Sequence, residues 1–204
     1  MSADLFRELF DDASLFPPAA WPWPTPRLSY ANAAIAEAVI VAGEKLGRGY
    51  LLQNGLRMLS WLLAGETRNG HLSVVPTEGW GRGDRRPAFD QHPSQVAALA
   101  DACARAAAVT GDTTWLTGVE MSVAWLLGDN DARIPMLDER TGGCSDGLTS
   151  VGRSRNQGAE STLAMIAVLQ HGRRMAAAST RTSVGEDDPP PGAGIRTARD
   201  SHQH

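Results

Sequence analysis

An all-α fold built from repeated helical hairpins is the architecture this 204-residue sequence predicts. Three observations point to it. Apolar residues recur at helical spacing in segments that stop at glycine. The chain matches itself when slid by 64 residues. A composition of 42% hydrophobic and 21% charged residues suits a soluble domain with a real core.

Taken in chain order, residues 1–20 form an N-terminal segment whose Leu5, Phe6, Leu9 and Phe10 could make one or two helical turns. The run from Pro17 to Pro26 holds five prolines in ten residues, which forbids a helix interior and favours an extended approach. A first helix is expected over Tyr30 to Leu46, with Ile35, Val39 and Ala42 on one face and Gly47 and Gly49 as its stop. A second runs from about Tyr50 to Ala64, with Leu52, Leu56, Leu59, Leu62 and Leu63 spaced for burial and Gly65 as its stop.

The 64-residue shift lays Ala34, Ala36, Ala38 and Ala42 on Ala98, Ala100, Ala102 and Ala106, and Gly47 on Gly111. It also lays Trp61-Leu62-Leu63 on Trp125-Leu126-Leu127. Small residues down each first helix imply close packing, and the Trp-Leu-Leu ends imply a shared core. A third copy starts at Asn156-Gln157-Gly158-Ala159-Glu160 with no second helix after it, so the expectation is two and a half hairpins. Long polar loops, Glu66 to His92 and Asp129 to Asn156, separate the copies and are expected to form the functional face. Residues 21–175 are therefore read as the helical domain, and 176–204, with Pro189-Pro190-Pro191, as a disordered tail.

A formal charge of −4 argues against nucleic acid as a partner. No apolar run reaches the roughly 20 residues of a membrane span, and the acidic start lacks a signal peptide's basic region, so a cytoplasmic location is expected. Cys103 and Cys144 make neither a disulfide framework nor a metal set.

Seven strings carry a family resemblance: Trp21-Pro22-Trp23-Pro24, Ser29-Tyr30-Ala31-Asn32-Ala33, Gly70-His71-Leu72-Ser73, Gly79-Trp80, Phe89-Asp90-Gln91-His92-Pro93, Gly142-Gly143-Cys144-Ser145-Asp146-Gly147-Leu148 and the stretch from Asn156 to Thr162. In this order they resemble the (α/α)6 toroid, or six-hairpin glycosidase-like, domain found fused to or beside bacterial family-4-type glycosyltransferases. The resemblance covers about residues 21 to 175. It implies a partial toroid with long loops on one face, acting on or binding a glycan. No strand followed by a nucleotide-binding glycine loop occurs, so the glycosyltransferase would be a partner and not this chain. Two departures stand out. Where the family carries acids after the tyrosine and in the helix after its Asp-Gln-Gln-Pro motif, this chain has Ala31 and Gln95, and Glu160 alone remains acidic. A full toroid also needs six hairpins.

Asp90 and Glu160, at two successive helix starts, are the candidate catalytic acids. Cleavage of a glycosidic bond uses two carboxyls roughly 5 to 9.5 Å apart. Helix-terminus chemistry explains the same positions without catalysis. Asp146 is a third acid, with turn formation as its plainer role. Trp21, Trp23 and Trp80 lie in Pro- or Gly-rich loops, as sugar-stacking platforms or as a lid over hairpin ends, whereas Trp61, Trp115 and Trp125 belong on helix faces. Tyr30, Asn32, Gln91, Asn156 and Gln157 offer donors and acceptors suited to sugar hydroxyls, or ties between loop and helix. His71 and His92 are candidate ligand contacts, but no second His or Cys stands at metal-ligand spacing, and neither metal nor cofactor is expected. Three functions remain open at this level: a glycosidic-bond enzyme, a noncatalytic glycan-binding or assembly module, and a truncated remnant that self-associates or needs a partner chain.

Overall fold

The computed structural model describes residues 21–185. The expected N-terminal segment, 1–20, and residues 186–204 of the expected tail lie outside them. Among the described residues five α-helices dominate: α1 (Ala33–Lys45), α2 (Gly49–Glu66), α3 (Pro93–Thr110), α4 (Leu116–Leu126) and α5 (Ala159–Gly185), with a 3-10 turn at Thr113–Trp115 leading into α4. The all-α expectation holds. Helix α5 runs without a break to Gly185, past residue 175.

Six two-residue strands fasten the loops in three antiparallel pairs. These are β1 (Arg27–Leu28) with β4 (Trp80–Gly81), β2 (Thr67–Arg68) with β3 (His71–Leu72), and β5 (Leu148–Thr149) with β6 (Gly152–Arg153). None is long enough to form a sheet layer; each pins a loop against the helices.

Helix α3 lies at the centre, touching α1, α4 and α5, while α2 packs on α1. The first and third helices end alike. Gly47 takes a left-handed φ of +61° while Arg48 N donates to Gly43 O at 2.9 Å and Gly47 N to Glu44 O at 3.2 Å, a Schellman stop. Gly111, 64 residues later, has φ +73° and donates to Ala107 O at 2.9 Å.

Each hairpin also crosses at a glycine. A Cβ on Gly55 would lie 2.7 Å from Ile40 Cγ1, and one on Gly118 would press on Cys103, with Cys103 Cβ at 3.2 Å. The absence of a side chain on the second helix therefore sets how closely the two axes approach. Buried Ile40, Met58, Leu59, Leu62, Leu99, Trp125 and Leu126 fill the space between.

The two repeat-related tryptophans differ. Trp125 is fully buried and its Nε1 donates to Gln91 Oε1 at 2.8 Å. Trp61 is half-buried and is covered by loop residues, with Trp21 edge-on at a 5.0 Å centroid distance and Trp23 stacked at 6.1 Å.

Candidate functional site

The helices α1, α3 and α5 bring their starts to one end of the molecule, and the polar side chains there meet. The Tyr30 hydroxyl, just before α1, donates to Glu160 Oε1 in the first turn of α5 and shares a second short hydrogen bond with Ser94 Oγ in the first turn of α3. His92, which precedes α3, holds Ser94 Oγ through Nδ1 at 2.7 Å, and its ring lies 6.0 Å from that of Tyr30. Pro93 fixes the first turn of α3, and Gln95 Oε1 accepts from His92 N at 3.3 Å, so the backbone that presents His92 and Ser94 is tied at both ends.

Asp146, on the loop between α4 and α5, lies within the electrostatic field of this cluster. Its Oδ1 accepts from Gly158 N at 2.6 Å, its Oδ2 accepts from Asn156 Nδ2, and its own N–H donates to Asn156 O at 2.9 Å. The loop is thus locked onto the start of α5. A Cβ on Gly158 would lie 2.9 Å from Asp146 Oδ1, so glycine is what lets the carboxylate cap this backbone.

The electrostatics follow from these bonds. Tyr30's hydrogen bond, with help from the nearby His92, holds the Glu160 carboxyl below the usual range, against a smaller push upward from Asp146. Asp146 is lowered by the Gly158 N–H first, and by Ser161 and Asn156. The Tyr30 hydroxyl moves the other way, raised by desolvation and by the carboxylate it serves. Both acids are therefore ionised at neutral pH, at the positive ends of helix dipoles.

Other expected contacts lie elsewhere. Asp90 is exposed and forms no hydrogen bond or ion pair with Glu160; its carbonyl accepts from Thr77 N at 3.1 Å. The acid that shares Glu160's field is Asp146, to which turn formation had been the plainer assignment. Trp23 is only 3% exposed and offers no free face for stacking. Trp21 and Trp80 are half-buried, 5.8 Å apart between centroids, and Trp21 packs edge-on against Trp61 at 5.0 Å. Asn32 is buried and closes a box with Ser29, with both bonds at 2.7 Å. Gln157 ties the end of the loop between α4 and α5 back onto its middle by bonding Thr141 at 2.6 Å and Asp138 at 2.9 Å.

His71 and Gln91 belong to a buried network. His71 Nε2 lies 3.1 Å from Asp131 Oδ1, and Gln91 Nε2 donates to Asp131 Oδ2 while its Oε1 receives Trp125. Beside them Glu66, wholly buried, accepts from Val75 N at 3.0 Å, and burial pushes its carboxyl up to about 7. Arg86 donates to Ser73 O. These groups anchor the 67–92 loop and the 129–131 turn to the helices; they do not face the open cluster. Burial likewise pushes the thiols of Cys103 and Cys144 up to about 12, which makes them unreactive.

Ser94 and Asp131 were not singled out by the sequence. For Ser94 a signal existed, since it stands at the repeat offset from Tyr30. For Asp131 there was none. Among the described residues no three His, Cys, Asp or Glu side chains stand together to hold a metal ion, and no helix is long and apolar enough to cross a membrane. No protein-family model matches the sequence, and no curated protein matches it.

Proposed function

We propose that the chain is a carbohydrate-binding helical module of the (α/α)6 toroid kind, working beside a glycosyltransferase, with Tyr30, His92, Ser94, Asp146 and Glu160 as its glycan-contacting residues. One observation carries this reading: a carboxylate, two hydroxyls and an imidazole meet at the common end of three helices, with the Asp146 carboxylate within their electrostatic field. Polyols are recognised by such alternating acceptors and donors, and a carboxylate accepts strongly from sugar hydroxyls. Family resemblance supplies the toroid and the glycan; geometry supplies the cluster.

Binding is favoured over cleavage because a general acid needs a proton to give to the leaving oxygen. Glu160 is held ionised by Tyr30, and Asp146 by Gly158 and Asn156. The test is a titration of the chain with neutral oligosaccharides, scored for both binding and hydrolysis. Binding without turnover, weakened in Glu160→Gln, supports the module. Turnover that Glu160→Gln abolishes establishes the enzyme in its place.

A partner chain or a second copy is favoured by one further observation. Leu163 is 66% and Ile166 42% exposed on α5, one helical turn apart. Light scattering on a sizing column tests this, and a monomer removes self-association from the account.

A further inference from the structure

The loop between α4 and α5 holds a second polar site that the glycan reading does not use. Asp138, Arg140, Thr141, Arg153, Arg155 and Gln157 line a cavity of about 440 Å3, a volume within the range of small-ligand pockets. Three of the eight lining residues are arginines in a chain whose net charge is −4. Among the described residues none of the three forms an ion pair.

The single acid in the wall, Asp138, offsets only part of this charge. Asp138 has both oxygens engaged, Oδ1 by Arg140 N at 3.0 Å and Oδ2 by Gln157 Nε2 at 2.9 Å. Its charge acts on Arg140 and Arg153, and three guanidinium groups against one carboxylate still leave an excess of positive charge. One guanidinium is also fixed in place. Arg153 Nη1 donates to Pro135 O at 2.7 Å and Leu137 O at 2.9 Å, which uses Nη1 and leaves its other N–H groups to a ligand. A planar fork held in this way suits a tetrahedral or planar oxyanion, which it can meet through two parallel bonds. Arg140 and Arg155, also in the lining, are exposed.

We propose that this cavity binds an oxyanion of the phosphate class, with Arg153 as the fixed contact and Arg140 and Arg155 closing on it. The anion is either free phosphate or the phosphate group of a sugar ester. The site stands independently of the glycan reading. It has a consequence for that reading, because Ser145 and Gln157 line the cavity while their neighbours Asp146 and Asn156 build the carboxylate cluster. An anion that orders this loop also orders Asp146.

The test is calorimetric titration of the full chain with inorganic phosphate, and with a hexose 6-phosphate, in a low-salt, phosphate-free buffer. Saturable binding is expected for the wild type. The double variant Arg140→Gln/Arg155→Gln is expected to weaken it at least about tenfold, since it removes two of the three guanidinium charges in the wall. Arg82→Gln/Arg85→Gln carries the same charge change away from the cavity and should leave binding within about twofold. A hexose phosphate that binds more tightly than phosphate identifies the ester as the ligand, and equal affinity identifies the free ion. The proposal is overturned if phosphate does not bind saturably, or if both double variants weaken it alike. Neutral oligosaccharide that fails to bind while phosphate still does removes the glycan reading and leaves this one standing.

Discussion

Tyr30 and Ser94 stand 64 residues apart, the offset of the internal repeat, and their hydroxyls are hydrogen-bonded to one another across the starts of α1 and α3. Repetition has thus placed equivalent positions of two hairpins in direct contact. Glu160 joins them from the third copy. A repeat that aligns helix starts concentrates N–H dipoles at one end, and this chain fills that end with acids and hydroxyls.

Removing the Tyr30 hydroxyl should free Glu160. In Tyr30→Phe the largest cause of its lowered pKa is gone, so the Glu160 midpoint should move up toward its ordinary value of 4.5. A carboxyl-detected NMR pH titration of wild type and variant checks this. An unchanged midpoint would mean that the bond does not persist in solution.

Glu66 should make the protein less stable as pH rises through the weakly acid range. Its folded-state pKa, about 7, lies above its ordinary 4.5, so between these values the folded state holds more protons than the unfolded one. The contribution is therefore fully favourable below about 4.5 and declines up to about 7. Asp131, Asp146 and Glu160 are shifted downward, and their effects fall at lower pH. Urea unfolding of wild type and Glu66→Gln at pH 5 and pH 7.5 should show the variant gaining on the wild type at the higher pH.

The hairpin crossings should tolerate no Cβ. Gly43 would place one 2.7 Å from Leu52 Cα, which is backbone and cannot swing aside. Gly43→Ala is expected to lose about 1–2 kcal/mol despite alanine's better helix propensity. Gly65, in the last turn of α2 with nothing within 4 Å of its would-be Cβ, should gain about 0.5–1 kcal/mol as alanine. Denaturant midpoints of the two variants give opposite signs if the packing is as described.

Truncation of the two repeat-related tryptophans should separate them. Trp125→Ala removes a fully buried ring and strands the Gln91 oxygen, for about 3–5 kcal/mol. Trp61→Ala should cost less, because Trp61 is only half-buried under Trp21 and Trp23. Equal losses in chemical denaturation would contradict the difference in burial.

The helices were legible because their apolar spacing and glycine stops are local signals, and Gly47 and Gly111 do end α1 and α3, whereas α2 runs through the expected stop at Gly65, which has no left-handed φ, to Glu66. The difference between Trp61 and Trp125 was not, since the two share one sequence context and differ in what the loops bring to them. Of the site, Tyr30, His92, Asp146, Asn156 and Glu160 could be singled out by residue type and place. Pairing Glu160 with Asp146 and not Asp90 depends on the path of the 129–156 loop, which no spacing rule encodes. The continuation of α5 past 175 was hidden by a polar, alanine-rich stretch that lacks an apolar stripe.

The most direct test of the glycan-binding claim is calorimetric titration with a panel of neutral oligosaccharides of wild type and Glu160→Gln, each verified as folded by circular dichroism. The account predicts saturable binding to at least one member, weakened about tenfold or more in the variant, as loss of a charged acceptor requires. Binding to none, or equal affinity in both proteins, would contradict it.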